Sequence, residues 1–388
     1  MKDLQPLKQT ASDQTVLDTA MMARAIALAE RGLYSTQPNP RVGCVIVRGD
    51  SVLAEGWHQR AGEAHAEVAA IRAANSAGVD ITGATAYVSL EPCSFHGKTG
   101  PCADALIEAK LGRVVYGMLD PNPKVAGRGI ERLEQAGIAV HGPVLEDAAR
   151  ALNPGFIKRM EQGLPYVRIK MAMSLDGRTA MASGESKWIT SGQARADVQR
   201  LRARSSAVIS GIETVLRDQA RLTVRNDELG VSAEYAPSKQ PLRVVLDSKA
   251  RLPDDAPLLK EAGPVLWVSA GSTTIESERL ADTECQHLNL DENGLGRIDL
   301  MRLLRLLAER ECNEVMVEAG STLTGQFVQL GLADELVVYM APKLMGSRAR
   351  PLFDLPLDTM AAQLTVQIQD IRAVGQDWRI TATLDKDD

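Results

Sequence analysis

Residues 64–117, AHAEVAAIRAANSAGVDITGATAYVSLEPCSFHGKTGPCADALIEAKLGRVVYG, decide the fold class of the first half of the chain. The alanine-rich stretch Ala64–Ala77 predicts a helix, and the apolar run Ala84–Leu90 predicts a strand. A second helix, Pro101–Ala109, begins with a proline, and a second strand follows at Arg113–Gly117. Strands that alternate with helices are typical of a layered α/β domain.

The flanking residues extend this alternation on both sides. Apolar side chains recur at helical spacing before the quoted stretch, and two short apolar runs enclose a Gly-Asp turn. The further predicted elements of this half are a helix over 17–28, a hairpin of Val42–Val47 and Val52–Ala54, a helix over Gly129–Gln135 and a strand over Ile138–Val140.

A change of composition between Asn153 and Pro165 marks the best domain boundary. An Asn-Pro-Gly sequence and a Gly-Leu-Pro sequence enclose a charged stretch there, and both are typical of loops. We therefore expect a mobile N-terminal arm (1–15), a first α/β domain (16–160) and a second one (161–388).

The second half resumes the alternation and then departs from it. Its predicted strands are Tyr166–Met173, Ala207–Ser210, Leu242–Asp247, Val265–Val268, Glu314–Val317 and Glu335–Ala341, and its clearest helices are Ser191–Ala203 and Leu300–Glu309. The last two predicted strands, Leu364–Ile371 and Trp378–Leu384, have no helix between them and predict an antiparallel pair. No internal repeat relates the two halves.

Length and composition restrict the class of protein. A chain of 388 residues is long enough for two domains. Its composition, with 45% hydrophobic and 24% charged residues, is typical of globular proteins. The apolar runs are shorter than the roughly 20 residues that span a bilayer. Five cysteines favour a reducing compartment over a disulfide framework. A net charge of −6 does not favour a nucleic-acid partner. These features predict a cytoplasmic protein that acts on small molecules, without a membrane or nucleic-acid partner.

His65, Cys93 and Cys102 have the chemistry of a zinc site. One imidazole and two thiolates make a three-ligand set that leaves the fourth tetrahedral position open to water. His65 and Cys102 both stand at predicted helix starts, and helix N-termini favour anionic sulfur. A purely structural zinc would need a fourth ligand, for which His96 is the only nearby candidate, and unrelated buried cysteines remain the other alternative.

Glu67 follows the first candidate ligand by two residues. It need not contact the metal, so its carboxylate is free to take a proton from water and pass it on. An H-x-E sequence with a later P-C-x-x-C is typical of zinc deaminases, although here eight residues rather than two separate the cysteines. The intact Glu67 favours catalysis over a binding protein that merely contains zinc.

Several motifs of the first half resemble the bacterial riboflavin-biosynthesis deaminase-reductase family. They are Pro-Asn-Pro-Arg-Val-Gly at 38–43, Gly-Trp-His at 56–58, His-Ala-Glu at 65–67, Glu-Pro-Cys-Ser at 91–94, Gly-Lys-Thr at 97–99, Pro-Cys at 101–102 and DPNPKVAGRG at 120–129. The resemblance implies a cytidine-deaminase-like α/β/α domain that deaminates 2,5-diamino-6-(5-phosphoribosylamino)pyrimidin-4(3H)-one. It implies zinc on His65, Cys93 and Cys102 and a proton shuttle at Glu67. The substrate contacts that it implies are Asn39, His58 and Lys98.

The second half contains two features that suggest anion binding. Glu318-Ala319-Gly320-Ser321 joins a predicted strand to a helix, and free backbone N–H groups at a helix start bind phosphate. Thr190 and Gln193 fit a capping box that opens the helix carrying Arg195, Arg200, Arg202 and Arg204, which, with Arg225, could clamp a sugar phosphate. An ordinary strand-turn-helix and a solvated charged helix face are the alternatives. No G-x-G-x-x-G sequence follows a predicted strand, so a Rossmann site is not supported.

The second half resembles the reductase of the same bifunctional family. The motifs are Ser-Leu-Asp-Gly-Arg at 174–178, Gly-Glu-Ser at 184–186, Trp-Ile-Thr-Ser at 188–191, Leu-Thr-Val-Arg at 222–225, Val-Glu-Ala-Gly at 317–320 and Ala-Pro-Lys-Leu at 341–344. The resemblance implies a dihydrofolate-reductase-like α/β domain that uses NADPH to reduce the ribosyl group of 5-amino-6-(5-phosphoribosylamino)uracil to a ribityl chain. The substrate contacts that it implies are Ser186, Arg202, Leu222, Arg225 and Glu318. The NADPH contacts that it implies are Met173, Trp188, Thr214, Asp218, Ser248, Gly320, Ser321, Thr322, Leu323, Thr324, Gly325 and Gln326.

Three hypotheses follow. The leading one is a bifunctional deaminase and reductase of riboflavin synthesis, which the family suggests is a homo-oligomer, a dimer or a tetramer. The second is a nucleoside or tRNA zinc deaminase with an unrelated appended domain. The third is a non-catalytic zinc-binding protein. For Trp188, an indole packed in the core is the alternative to a cofactor contact.

Overall fold

The computed structural model describes residues 11–94, 100–123, 125–230, 235–237, 239–271, 283–291 and 294–384. The chain divides into two units, Met1–Gln162 and Gly163–Asp388.

The first unit is built on a mixed sheet. Its strands are β1 (Gly43–Arg48), β2 (Ser51–Trp57), β3 (Thr85–Val88), β4 (Arg113–Tyr116) and β5 (Ala139–His141). They join in the order β2-β1-β3-β4-β5, in which β1 is antiparallel to both of its neighbours and β3, β4 and β5 are parallel. Its helices are α1 (Ala11–Ala29), α2 (Ala66–Ser76), α3 (Cys102–Glu108), α4 (Arg128–Gln135), α5 (Glu146–Leu152) and α6 (Pro154–Gln162).

The apolar side chains of β1 point alternately to the two faces of the sheet, which explains why helices cover both faces. Cys44 and Ile46 point to one face and pack with Ala70 of α2, whereas Val45 and Val47 point to the other and pack with residues of α1. All four of these β1 side chains are at most 1% exposed. The predicted hairpin, helices and strands of this half are therefore present, arranged as an α/β/α sandwich.

Two stretches of the first unit differ from the sequence expectation. Residues 11–15, assigned above to a mobile arm, form the first turn of α1, where Asp13 lies near the positive end of the helix dipole. The Asn153–Pro165 stretch, assigned above to the domain boundary because its Asn-Pro-Gly and Gly-Leu-Pro sequences are typical of loops, contains α6, which begins at Pro154 because proline is tolerated at the first helical position. Gly163 follows this helix with a φ of 68°, a left-handed conformation that ends it.

The second unit is built on a larger, mostly parallel sheet. Its strands are β6 (Tyr166–Ser174), β7 (Arg178–Ala180), β8 (Ala207–Gly211), β9 (Leu242–Leu246), β10 (Val265–Ser269), β11 (Cys285–Asn289), β12 (Glu314–Val317), β13 (Glu335–Ala341), β14 (Arg350–Pro351), β15 (Val366–Val374) and β16 (Asp377–Leu384). Its helices are α7 (Gly192–Ala203), α8 (Ile212–Asp218), α9 (Pro257–Lys260), α10 (Leu300–Glu309) and α11 (Ser321–Gln329).

Nine of the described strands join in the order β11-β10-β9-β8-β12-β6-β13-β16-β15. The strands from β11 to β13 are parallel, and β16 and β15 continue the sheet as the antiparallel pair that the sequence predicts. Val315 and Val317 of β12 pack against α10 and α11, whereas Met316 packs against α7 on the opposite face. Because ligands bind at the carboxyl ends of parallel strands, the ends of β8, β9 and β12 are where a site is expected.

The start of α7 differs from the predicted capping box. The N-cap is Ser191, whose side chain accepts a hydrogen bond from the Ala194 N–H, and not Thr190 as the proposed capping box required. The carboxylate of Asp377, from β16, accepts the Ser191 N–H at 2.7 Å and so takes the part that a local Glu or Gln would play.

Among the helices of the described residues, none has the length and apolar character needed to cross a membrane.

Candidate functional site

Three elements of the first unit bring His65, Cys93 and Cys102 together. His65 is the N-cap of α2, Cys102 is the first residue of α3, and Cys93 lies in the loop after β3. Nδ1 of His65 lies 3.2 Å from Sγ of Cys102 and 3.7 Å from Sγ of Cys93, and the three possible ligand atoms all lie within 4.8 Å of one another. Among the described residues, no fourth His, Cys, Asp or Glu joins this set. The alternative fourth ligand, His96, lies outside the described residues.

The contact between the two thiols shifts their pKa values in opposite directions, and a bound zinc ion would hold both as thiolates. The pKa of Cys93 is lowered because Cys102 donates a hydrogen bond to its sulfur and His65 donates another. The backbone N–H of Cys102 also donates to Cys93 Sγ, at 3.3 Å. The pKa of Cys102 is raised because its proton is held by Cys93 and because it is buried. Imidazole and two sulfurs around one point fit a zinc ion that keeps a fourth position for water.

Glu67 lies in the first turn of α2, beside this set. It is 3% exposed, and burial together with the negative charge of Cys93 raises the pKa of its carboxyl to about 7. A carboxyl group with a pKa near neutrality can both take and give a proton, which is what general acid–base catalysis requires.

Asn39 and His58 lie next to the zinc set, and their hydrogen bonds define the state of the imidazole. Nδ1 of His58 lies 3.0 Å from the carbonyl oxygen of Ala64 and therefore carries the proton, while Nε2 accepts a hydrogen bond from Asn39 Nδ2 at 3.1 Å. Burial lowers the pKa of His58, which favours this neutral form. The rings of His58 and His65 meet edge to face at 5.2 Å. Lys98, the third predicted substrate contact, lies outside the described residues.

The second unit contains a cleft of about 1750 Å³ at the carboxyl ends of its parallel strands. All five predicted substrate contacts line it: Ser186, Arg202, Leu222, Arg225 and Glu318. So do nine of the twelve predicted NADPH contacts, namely Trp188, Thr214, Asp218, Ser248, Gly320, Ser321, Thr322, Leu323 and Gln326.

Met173, Thr324 and Gly325 do not line the cleft. Met173 is partly buried against the apolar core, and the hydroxyl of Thr324 donates back to the Gly320 carbonyl within α11. Gly325 is required by close packing instead, because a Cβ there would collide with the Asp354 carbonyl oxygen. These three residues therefore lie outside the lining of the cleft.

Glu318 is the centre of an ion cluster on the wall of the cleft. Arg202 binds it through two hydrogen bonds, Nε to Oε2 at 3.0 Å and Nη2 to Oε1 at 2.9 Å. Lys170 Nζ lies 3.3 Å from Oε1. Burial alone would raise the pKa of Glu318, but the charges of Arg202 and Lys170 outweigh it and lower the pKa to about 2. Lys170 was not among the predicted site residues; its signal in the sequence is a cation within a largely apolar strand, which it shares with Arg168.

The arginines of α7 do not form a single clamp. Arg195 and Arg202 line the cleft together with Arg225, but Arg200 donates to the Leu229 carbonyl and Arg204 to the Glu314 carboxylate. Some arginines of this helix therefore line the cleft, and the others make hydrogen bonds within the protein.

Trp188 is 62% exposed, so the alternative of an indole packed in the core is wrong. The Arg195 guanidinium lies 4.3 Å from the centre of its ring, and Lys343 Nζ donates to its carbonyl oxygen at 2.8 Å. The indole therefore stands at the mouth of the cleft with one face covered by a cation.

The charge of the cleft fits a phosphorylated ligand. Nine cationic and six acidic side chains line it, although the whole chain has a net charge of −6. Gly320 is the N-cap of α11 and offers no side chain to its first N–H groups, which leaves them to a bound anion. The lining therefore fits a dinucleotide phosphate together with a sugar phosphate.

Comparisons with known proteins agree with both sites. Residues 15–118 match the family described as "Cytidine and deoxycytidylate deaminase zinc-binding region", and residues 165–380 match the family described as "RibD C-terminal domain". The chain is 50% identical over 365 residues to riboflavin biosynthesis protein RibD of Escherichia coli, covering 93% of this chain and 97% of that protein. It is 44% identical to the Haemophilus influenzae protein of the same name, covering 94% and 97%.

Solved structures of proteins with the same two activities or the same name also match nearly the whole chain. A structure of Acinetobacter baumannii RibD is 45% identical, with a TM-score of 0.87, and covers 96% of this chain and 100% of its own. A Thermotoga maritima structure, described as a diaminohydroxyphosphoribosylaminopyrimidine deaminase and 5-amino-6-(5-phosphoribosylamino)uracil reductase, is 32% identical with a TM-score of 0.83, covering 96% and 99%. The hypothesis of an unrelated second domain is therefore wrong. The chain belongs to the RibD family and is a bifunctional enzyme of riboflavin biosynthesis, with a zinc deaminase followed by an NADPH-dependent reductase.

Proposed function

We propose that the first unit deaminates 2,5-diamino-6-(5-phosphoribosylamino)pyrimidin-4(3H)-one, with zinc held by His65, Cys93 and Cys102. The observation that carries this assignment is the meeting of the three donor atoms within 4.8 Å beside the buried Glu67. Zinc at such a site supplies Lewis-acid activation of water. Glu67 would take one proton of the attacking water and deliver it to the ring nitrogen. It would then pass the second proton, from the hydroxyl group added to the ring carbon, to the amino group that leaves as ammonia. Asn39, His58 and Lys98 bind and orient the pyrimidine.

The second unit, on this proposal, reduces the ribosyl group of 5-amino-6-(5-phosphoribosylamino)uracil in the cleft that Glu318 borders. NADPH supplies the hydride, and the product gains that hydride and one proton. Arg225 and Ser186 bind the substrate, and the Arg202–Glu318 pair orients it. Trp188, Thr214, Asp218, Ser248 and the Gly320–Leu323 turn with Gln326 hold the cofactor. Because hydride transfer depends on placement, these residues position the reactants.

One assay tests both assignments. The diamino-pyrimidine ribosyl phosphate is supplied with NADPH, and ammonia release and loss of nicotinamide absorbance are followed together, with and without a zinc chelator. We expect ammonia first and NADPH oxidation after it, with the chelator stopping both from this substrate. NADPH oxidation that continues at full rate with the chelator present would contradict the proposed substrate of one of the two steps.

We also propose that the chain forms a homodimer through the edge strand β15. Val366, Ile368 and Ile371 are 42–58% exposed there, an apolar edge that a soluble chain seldom leaves uncovered. An antiparallel two-fold pairing centred on Ile371 places Asp370 opposite the partner's Arg372, so the strand is complementary in charge to a second copy. Sedimentation should give a dimer for the wild type and a monomer for Ile371→Lys. A dimer in the variant would contradict this interface.

A cytoplasmic location is part of the same proposal. The support for it is that all five cysteines are free thiols, which a reducing compartment preserves.

A further inference from the structure

Glu91 begins the loop that carries Cys93, and its carboxylate is occupied entirely by backbone donors. Oε2 accepts the N–H of Asp120 at 3.2 Å and the N–H of Gly127 at 3.0 Å, and Oε1 accepts the N–H of Gly129 at 3.0 Å. The residue is 3% exposed. A buried carboxylate with three N–H donors makes charge-assisted bonds, which are stronger than bonds between neutral groups. Glu91 therefore joins the Cys93 loop firmly to the 120–129 segment.

The start of α4 packs directly on the same loop. A Cβ at Gly129 would collide with the carbonyl oxygen of Pro92, so only glycine allows the approach. Two of the three N–H groups that Glu91 binds, those of Gly127 and Gly129, belong to the N-terminal end of α4, where the helix dipole favours a negative charge. The 120–129 segment is thus held against Glu91 and Pro92 by both hydrogen bonding and shape.

Cys93 is held on its other side by α3. The carbonyl oxygen of Cys93 accepts the Ala103 N–H at 3.1 Å, and its sulfur accepts the Cys102 N–H at 3.3 Å. The loop is therefore bound to α3 at Cys93 and, two residues earlier, to the 120–129 segment at Glu91.

We propose that Glu91 is a positioning residue of the zinc centre, which keeps the Cys93 sulfur at the distance from His65 and Cys102 that one cation requires. The inference rests on the proposed ligand set. It predicts that weakening the Glu91 bonds lowers zinc affinity and the rate of deamination, because neighbours that orient ligands affect metal affinity by about 10- to 100-fold. The reductase, in the other unit, serves as an internal control for folding.

The test compares Glu91→Gln with the matched control Glu108→Gln, an exposed carboxylate on α3. Glutamine keeps the shape but loses the charge, and its NH₂ group faces N–H donors instead of accepting from them. Zinc affinity is measured by competition with a chromogenic chelator, and the thiolate-to-metal absorption of the cobalt(II) form reports the ligand geometry. We expect about a 10-fold or larger rise in the zinc dissociation constant for Glu91→Gln. We also expect an altered cobalt spectrum, about a 10-fold fall in deaminase kcat with KM within twofold, and unchanged reductase activity.

A zinc dissociation constant and a deaminase kcat within twofold of the wild type would overturn the proposal, even if the melting temperature fell. If Glu91→Gln loses both activities, Glu91→Asp replaces it, since this variant keeps the charge and shortens the reach by one methylene. For Glu91→Asp we expect a loss of zinc affinity of about threefold or more, and unchanged affinity would again overturn the proposal. Cys93→Ser distinguishes a failure of the ligand set from a failure of the role of Glu91. If Cys93→Ser retains zinc, the proposed ligand set is contradicted. If Cys93→Ser loses zinc while the Glu91 variants bind it as the wild type does, only the role of Glu91 is contradicted.

Discussion

Replacing Glu318 by glutamine tests the ion cluster of the reductase cleft. The pKa of Glu318 is lowered from 4.5 to about 2 by Arg202 and Lys170, against the effect of burial. Each pKa unit corresponds to about 1.4 kcal/mol, and the side chain is only 16% exposed. We therefore expect Glu318→Gln to lower the free energy of unfolding at pH 7 by about 2–3 kcal/mol, because both cations lose their counterion.

The pH dependence of this loss follows from the sign of the pKa shift. The folded state lowers the pKa, so the stabilisation is fully present above pH 4.5 and disappears as the pH falls through that value toward 2. Glutamine does not titrate, so the difference between wild type and variant should shrink over the same interval.

Urea unfolding provides the assay, followed by tryptophan fluorescence, to which Trp267, 1% exposed in the second unit, contributes. The matched control is Glu228→Gln, which breaks a more exposed pair with Arg225 and should cost less than about 1 kcal/mol. A Glu318→Gln effect no larger than that of the control, or a difference that stays constant from pH 6 to pH 3, would refute the reasoning.

Three further predictions concern activity. Glu67→Gln should keep one zinc per chain and lower ammonia release by about 10²-fold or more, measured by metal analysis and an ammonia assay, and a near wild-type rate would show that Glu67 moves no proton. Arg225→Ala should raise the reductase KM by about 10- to 100-fold with kcat little changed, because in the proposed binding mode it removes one charge-assisted bond to the substrate phosphate. Arg305→Ala, on the exposed side of α10, should leave KM unchanged. Removing zinc by dialysis against a chelator should abolish deamination and leave reduction of the uracil intermediate intact, and a parallel loss of both would indicate a folding role for the metal.

The zinc set could be predicted from the sequence because each member stands where a secondary-structure element starts or ends. His65 opens α2, Cys102 opens α3 and Cys93 follows β3, and such positions are readable from local periodicity. The alternation of strands and helices also predicted most of both sheets, including the antiparallel pair at the end of the second unit.

What could not be predicted depends on contacts between distant residues. Ser191 rather than Thr190 caps α7 because Asp377, nearly 190 residues away, binds its N–H. Glu91 has no local signal, since its three donors lie about 30–40 residues further along the chain. Gly325 fits a helix-start motif but is required by the backbone at Asp354. Sequence patterns predict local geometry, whereas the roles of these residues depend on contacts with distant parts of the chain.

The most direct measurement of the central claim is X-ray absorption at the zinc edge of the purified wild-type chain. The account predicts one zinc per chain with two sulfur neighbours at about 2.3 Å, one imidazole nitrogen at about 2.0 Å and one light atom from water. A first coordination sphere with fewer than two sulfurs, or with four protein ligands and no water, would contradict it.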